Sequence, residues 1–147
     1  MKKILLFLFI CLSGCHNNRV DPQQPVWKVT LKARAYADVI TEGEIFYAFT
    51  QGGEVFAGSS KTGKEIWRRT LSDAVLGTPA IFNDSILLAT YQGGVARLRK
   101  KDGATEWEKQ LDDIFIAPVG LMDSLVLVPS ETGTLYALSL ANGSEQW

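Results

Sequence analysis

The chain has 147 residues, of which 46% are hydrophobic and 21% charged, and this composition is typical of a globular protein rather than a disordered one. Its formal net charge is −1 at pH 7, and without residues 1–14, which hold Lys2 and Lys3, it has 13 basic and 16 acidic residues. This balance excludes the broad basic surface with which proteins bind nucleic acids or anionic membranes.

Residues 1–14 are predicted to be the signal peptide of a lipoprotein. Two lysines precede an apolar run, residues 4–12, that is too short to span a bilayer. The run leads into Leu12-Ser13-Gly14-Cys15, which resembles the bacterial lipobox, in which the cysteine is acylated and becomes the new N-terminus. The resemblance implies a membrane anchor on Cys15, since each buried CH₂ group of an acyl chain contributes about 0.8 kcal/mol. The alternative is an ordinary secretory signal with a cysteine there by chance.

Residues 15–25 are predicted to be the acylated cysteine and a flexible tether, because they are polar, hold two prolines and show no periodicity. Cys11 lies in the segment that would be removed, so Cys15 would be the only cysteine and no disulfide or cysteine-based metal site is expected. His16 follows Cys15, where an aspartate would resemble the inner-membrane retention signal of enteric bacteria. By that analogy the protein is expected at the outer membrane, facing the periplasm.

A period of 40 residues organises the rest of the chain. The four tryptophans keep this period, and so do two columns of glycine and one of leucine: Trp27, Trp67, Trp107 and Trp147; Gly53, Gly93 and Gly133; Gly63, Gly103 and Gly143; Leu31, Leu71 and Leu111. Because tryptophan occurs only four times in the chain, composition cannot explain this spacing. The period therefore predicts a repeat architecture.

Each repeat is predicted to hold four short strands. In the first, residues 54–57 favour a strand, Lys61-Thr62-Gly63 favours a turn, and a further strand begins at Glu65. The later repeats have Asp102-Gly103 and Asn142-Gly143 at this turn, which are strong hairpin signals, and the second also has a predicted turn at Asn83-Asp84-Ser85. No stretch of ten residues has a helical period. Forty residues in four antiparallel strands make one blade of a β-propeller, so we predict an all-β fold.

The blades are predicted at residues 33–71, 72–111 and 112–147, preceded by an orphan outer strand at residues 26–31. Three blades do not close a ring, which takes about four to eight, so the propeller is predicted to be incomplete. Either the chain is a fragment of a longer product, which we favour, or it assembles with other copies or other chains.

The spacing Ala57-x-Ser59-x-x-Thr62-Gly63-x-x-x-Trp67 resembles the tryptophan-docking motif of the quinoprotein, or PQQ-like, propellers. The last repeat matches with Asn142 in place of threonine, whereas the middle repeat has Arg97 for alanine and Asp102 for threonine, which is expected to weaken docking there. The resemblance implies that each indole packs between the alanine of its own repeat and the glycine peptide of the next. The implied docking residues are Trp27, Ala57, Thr62, Gly63, Trp67, Gly103, Trp107, Ala137, Asn142, Gly143 and Trp147.

A lipobox, a tether and PQQ-like repeats, in this order, resemble the propeller lipoprotein of the outer-membrane β-barrel assembly machinery. The resemblance implies a non-enzymatic scaffold for protein–protein contacts, with partners in that machinery and no cofactor, metal or catalytic residue. Two alternatives stay open: an extracytoplasmic ligand-sensing domain, and a fragment of a PQQ-dependent dehydrogenase. The dehydrogenases need a catalytic aspartate, Ca²⁺ ligands and, in many cases, a pair of adjacent cysteines, and this sequence has no such pair.

Overall fold

The structure, a computed structural model, describes residues 27–147. The predicted signal peptide, Cys15 and the tether therefore lie outside the described residues. Between residues 27 and 147 the chain forms eleven strands and no helix, and so nothing there has the helical length and apolarity that a bilayer crossing would take. The strands are β1 (Ile40–Glu42), β2 (Ile45–Phe49), β3 (Glu54–Ser59), β4 (Glu65–Thr70), β5 (Ala80–Phe82), β6 (Ser85–Ala89), β7 (Gly94–Arg99), β8 (Thr105–Gln110), β9 (Gly120–Met122), β10 (Leu125–Pro129) and β11 (Leu135–Ser139).

The strands form three antiparallel sheets in which sequence neighbours pair, in the orders β1-β2-β3-β4, β5-β6-β7-β8 and β9-β10-β11. Their arrangement is open, and the prediction of an all-β, incomplete propeller is confirmed.

The third sheet has three strands where four were expected. Residues 144–147 form a single bridge, Leu138 with Glu145, supported by hydrogen bonds from Ala137 N to Trp147 O (3.0 Å) and from Gln146 N to Ala137 O (2.8 Å).

The tight turn between the first two strands of each sheet contains a left-handed residue. These residues are Gly43 (φ 57°), Asn83 (φ 49°) and Asp123 (φ 52°), again 40 residues apart. Asparagine and aspartate tolerate this conformation better than other non-glycine residues, so glycine, asparagine and aspartate can each form the same turn. The turn predicted at Asn83-Asp84-Ser85 is one residue shorter, because Ser85 already pairs with Phe82 in the sheet.

The core lies between the sheets. One face of the first sheet (Tyr47, Phe49, Val55, Ala57) packs against one face of the second (Ile86, Leu88, Ala96, Leu98). The other face of the second sheet (Leu87, Ala89, Val95) packs against the third (Val126, Val128, Leu138). Since successive residues of a strand point to opposite faces, a sheet between two others is buried on both. All five residues of β6 are buried, as this position requires.

Long loops join the outer strand of one sheet to the inner strand of the next, and they bond to the turns between the second and third strands. The bonds repeat in each sheet: Gln51 N to Arg34 O (2.9 Å), Tyr91 N to Ala74 O (2.8 Å) and Glu131 N to Ile114 O (2.9 Å). These loops and turns therefore form one edge of the molecule. We call this edge the loop rim; it comprises residues 31–39, 71–79 and 111–119 with the turns 50–53, 90–93 and 130–133.

Of the predicted orphan strand at residues 26–31, the structure describes residues 27–31, and these are not part of a described sheet. No described strand lies beside them to complete a ladder. Their side chains instead alternate between partly buried and exposed, and Trp27, Val29 and Leu31 pack on Phe46, Ala48 and Phe56 of the first sheet. We call residues 27–32 the N-terminal segment.

Replacing Gly103 by alanine is expected to destabilise the protein more than replacing Gly43. Both glycines have positive φ, 70° and 57°, which costs any other residue roughly 1–2 kcal/mol. A Cβ at Gly103 would also lie 2.7 Å from Cζ3 of Trp67, whereas nothing lies within 4 Å of a Cβ at Gly43. The steric overlap should add about 1–3 kcal/mol for Gly103→Ala. Urea unfolding of both variants measures the difference, and equal midpoints would contradict it.

Candidate functional site

Trp67 links the first sheet to the second. It lies on β4 opposite Ala57 of β3, which is fully buried, and only 9% of Trp67 is exposed. Its Nε1–H donates to the carbonyl oxygen of Lys100 in the second sheet (2.7 Å). Its ring lies against the Cα of Gly103, where no Cβ would fit. The indole is thus held by an alanine of its own sheet and by a glycine turn of the next.

The contacts with a carbonyl oxygen and with a glycine turn recur at the other two docking tryptophans. Trp27 donates to Ser60 O (2.9 Å) and Trp107 to Leu140 O (3.0 Å), in each case 33 residues further along the chain. A Cβ would come within 2.8 Å of Trp27 at Gly63 and within 2.6 Å of Trp107 at Gly143. Because these glycines also have φ near 70°, both the backbone conformation and the indole require glycine.

Thr62, Asp102 and Asn142 have equivalent roles in the docking turn. Each side-chain oxygen accepts a hydrogen bond from the backbone N–H two residues on: Lys64 (3.3 Å), Ala104 (3.1 Å) and Ser144 (3.0 Å). Asp102, a departure from the motif, therefore preserves this contact. The Arg99 side chain bonds to Asp102, and this bond, with that from Ala104 N, lowers the pKa of Asp102 to about 2.

Arg97 stands where the other repeats have alanine, and it contributes to the contact between the second and third sheets. Its Nη1 donates to Leu140 O (2.9 Å), the acceptor that Trp107 also uses. Its Nε lies 2.8 Å from Ser85 Oγ and 2.7 Å from Glu106 Oε2. The substitution therefore brings a second donor to the same carbonyl. Of the remaining docking residues, Ala137 is buried and Trp147 is 58% exposed.

Large apolar side chains form a row along the loop rim. Tyr36, Leu76 and Ile116 are 40 residues apart and, with Gln51 and Tyr91, line a shallow cavity of about 480 Å³. Tyr36 is 59% exposed and Ile116 45%. This row was not predicted, although the sequence carries a signal for it, a column of apolar loop residues at the period of the tryptophans.

The loop rim is acidic beside Leu76 and Ile116, whereas residues 31–39 around Tyr36 hold Lys32, Arg34 and Asp38. In the loops and turns of the second and third sheets the charged residues are Asp73, Asp112, Asp113 and Glu131, with no lysine or arginine. Asp112 and Asp113 line a second cavity of about 420 Å³ with Gln92, Gln110 and Thr132. Partial burial acts to raise the pKa of Asp113, but hydrogen bonds from Ile114 N (2.8 Å), Thr132 Oγ1 (2.8 Å) and Tyr136 (3.2 Å) outweigh it and the pKa is lowered. Asp113 therefore stays charged at neutral pH.

Within residues 27–147 no three His, Cys, Asp or Glu side chains are grouped so that they could hold a metal ion. Two features of this part of the chain are candidates for function: the docked tryptophans between sheets, and the apolar row on the loop rim with the acidic residues beside it.

The sequence model of the family described as outer membrane protein assembly factor BamB matches residues 18–147. The chain belongs to this family. The predicted resemblance to BamB-like, PQQ-like propellers is confirmed. No curated protein matches the chain by sequence.

Solved structures share the fold. The BamB of Moraxella catarrhalis is 22% identical, with a TM-score of 0.73 over 82% of this chain and 39% of that protein. A quinohemoprotein alcohol dehydrogenase from Comamonas testosteroni is 15% identical (TM-score 0.68; 78% of this chain, 21% of that one). The computationally designed protein Ika4 is 12% identical (TM-score 0.74; 84% and 78%). The chain thus spans about two fifths of the length of the Moraxella BamB.

Replacing Trp67 by alanine is expected to destabilise the protein far more than replacing Trp27. Trp67 is buried between two sheets, and the loss of a buried tryptophan side chain costs roughly 3–5 kcal/mol. Trp27 joins only the N-terminal segment to the first sheet, so its loss leaves both contacts between sheets intact. Urea midpoints of the two variants test this, and identical midpoints would show that docking between sheets adds nothing.

Proposed function

We propose that the chain is a non-enzymatic, lipid-anchored protein of the bacterial envelope whose blades serve as a scaffold for protein–protein contacts in outer-membrane protein assembly. The observation that carries this proposal is the row of apolar side chains on the loop rim, of which Tyr36 and Ile116 are exposed and Leu76 is half-buried. These side chains take no part in the packing between sheets. Exposed apolar patches with a polar border are a common feature of protein-binding surfaces.

The chemistry of the loop rim favours one kind of partner. Tyrosine and isoleucine side chains at the row can pack against an apolar segment, and aromatic residues are frequent among those that contribute most to binding. The acidic residues Asp112, Asp113 and Glu131 border the row and attract basic groups. A partner segment with apolar residues flanked by lysine or arginine fits this surface. Membership of the BamB family supports a partner in the outer-membrane assembly machinery.

The proposed lipid anchor depends on the lipobox at Cys15, which lies outside the described residues. The tether of residues 15–25 would hold the blades near the membrane while leaving the loop rim accessible. The position of His16 next to Cys15 supports the outer membrane as the destination. An anchored scaffold needs neither cofactor nor metal.

Replacing Cys15 by serine is expected to abolish lipidation, because serine has no thiol to acylate. The wild-type chain should incorporate labelled palmitate and fractionate with membranes, and the Cys15→Ser chain should do neither. Cys11→Ser is the matched control, since Cys11 lies inside the predicted signal peptide and should not affect labelling of the mature protein. Labelling of the Cys15→Ser chain would rule out this anchor.

Replacing Ile116 by serine is expected to reduce partner binding about three- to tenfold, since full burial of an isoleucine side chain contributes about 1.5–3 kcal/mol and 45% of this one is exposed. Ile66→Ser is the matched control, because Ile66 is 48% exposed but lies on β4, away from the loop rim. Binding is measured by co-purification with the host's outer-membrane assembly machinery, and a photocrosslinking residue at position 116 or 66 identifies the partner. Equal loss in both variants, or crosslinks from position 66 alone, would contradict the proposal.

A further inference from the structure

Two carboxylates on the loop rim bind a connecting loop to the turn of the sheet that follows it. Asp73 and Asp113 are 40 residues apart in the sequence. Asp73 accepts hydrogen bonds from the backbone N–H of Gln92 and from the Nε2 of the same residue (3.2 Å). Asp113 accepts from Thr132 Oγ1 (2.8 Å), and Thr132 is the equivalent of Gln92 in the third sheet. The two carboxylates therefore make the same kind of contact in successive repeats.

The contact at Asp113 fixes the loop just before the apolar row. Phe115 is fully buried, and its ring lies edge-on to Tyr136 of β11, with centroids 5.8 Å apart and an angle of 89° between the planes. The hydroxyl group of Tyr136 also donates to Asp113 (3.2 Å). Two residues of the loop thus contact one tyrosine of the third sheet, and the exposed Ile116 follows them directly.

The contact at Asp73 is followed by a similar anchor. Val75 is fully buried, and its backbone N–H donates to Thr50 O (3.1 Å) in a turn of the first sheet. This loop is therefore bound to the turns of two sheets, directly before the next member of the row. The first sheet has Ala33 and Gly52 at the positions of the carboxylate and its donor, so it lacks this contact.

The adjacent residues Asp112 and Asp113 differ in what their carboxylates contact. Asp113 accepts three hydrogen bonds, from Ile114 N, Thr132 Oγ1 and the hydroxyl group of Tyr136. Asp112 is exposed, and its side chain forms no hydrogen bond or ion pair within residues 27–147. A carboxylate has about four acceptor positions, so most of those of Asp113 are used inside the protein and those of Asp112 are not.

We propose that Asp73 and Asp113 are positioning residues of the loop rim, which fix the connecting loops so that Leu76 and Ile116 are in place before a partner binds. The proposal rests on the proposed function of the rim as a protein-binding surface. Of the two adjacent carboxylates, Asp112 attracts basic groups of the partner and Asp113 holds Ile116. A loop that is ordered in advance loses less conformational entropy on association.

Amide exchange tests the positioning role without a partner. Asp113→Ala should make exchange at the Glu131 amide about tenfold faster and leave the Tyr91 amide unchanged, and Asp73→Ala should do the reverse. The reason is that each of these amides donates to the residue that follows one of the two carboxylates. Asp112→Ala is the matched control, since it removes the same charge and should leave both amides unchanged. Unchanged exchange at Glu131 in Asp113→Ala, or equal acceleration at both amides, would overturn the proposal.

Partner binding separates the position of the loop from its charge. Asp113→Asn removes the charge but keeps an oxygen for Ile114 N and an amide group that can donate to the two hydroxyl groups. Co-purification with the host's outer-membrane assembly machinery should fall about fivefold further in Asp113→Ala than in Asp113→Asn, which should match Asp112→Asn. Equal loss in both Asp113 variants would overturn the positioning role in binding. If Ile116→Ser binds as the wild type does, the proposed function fails, and the exchange rates still test whether Asp113 positions the loop.

Discussion

The structure depends on one contact, an indole that packs on a glycine turn of the next sheet and donates to a carbonyl beside it. Two of these contacts join the three sheets, at Trp67 and Trp107, and a third fixes the N-terminal segment at Trp27. The contact combines burial of apolar surface, which has no preferred direction, with a hydrogen bond, which has a preferred direction. Neighbouring sheets are therefore held in one relative position, whereas apolar packing alone would allow several.

Most of the fold could be predicted from the sequence because the docking contact tolerates few residue types. Tryptophan combines the largest apolar ring with an N–H donor, and only glycine fits beneath it with φ near 70°, so both residues recur at the period of the repeat. Other constraints admit several residue types and were missed. Gly43, Asn83 and Asp123 share a left-handed turn, and the hydroxyl groups of Thr50, Thr90 and Ser130 accept from the backbone N–H four residues on (3.0–3.1 Å).

The candidate sites were less predictable for two physical reasons. An apolar residue in a loop can be buried, as Val75 and Phe115 are, or exposed, so the exposure of Tyr36 and Ile116 depended on how the loops lie on the turns. A strand also needs a neighbouring strand to pair with. The sequence of residues 26–31 could not show that no described strand lies beside residues 27–31. Arg97 and Asp102 were predicted to weaken docking, because the sequence does not show which groups lie next to them. Arg97 donates to the carbonyl that Trp107 uses, and Asp102 makes the turn contact of Thr62.

The docking contacts and the loop rim lie in different parts of each repeat, and this separation has a consequence for function. Indole and glycine fix the positions of the sheets through residues at the outer strand and its turn. The connecting loops bond to the turns through backbone groups and bury Ala37, Val75 and Phe115 in the core, so only their exposed side chains are free to vary. A rigid frame that places variable loops in a fixed row is suited to binding proteins, since little conformational entropy is lost on association.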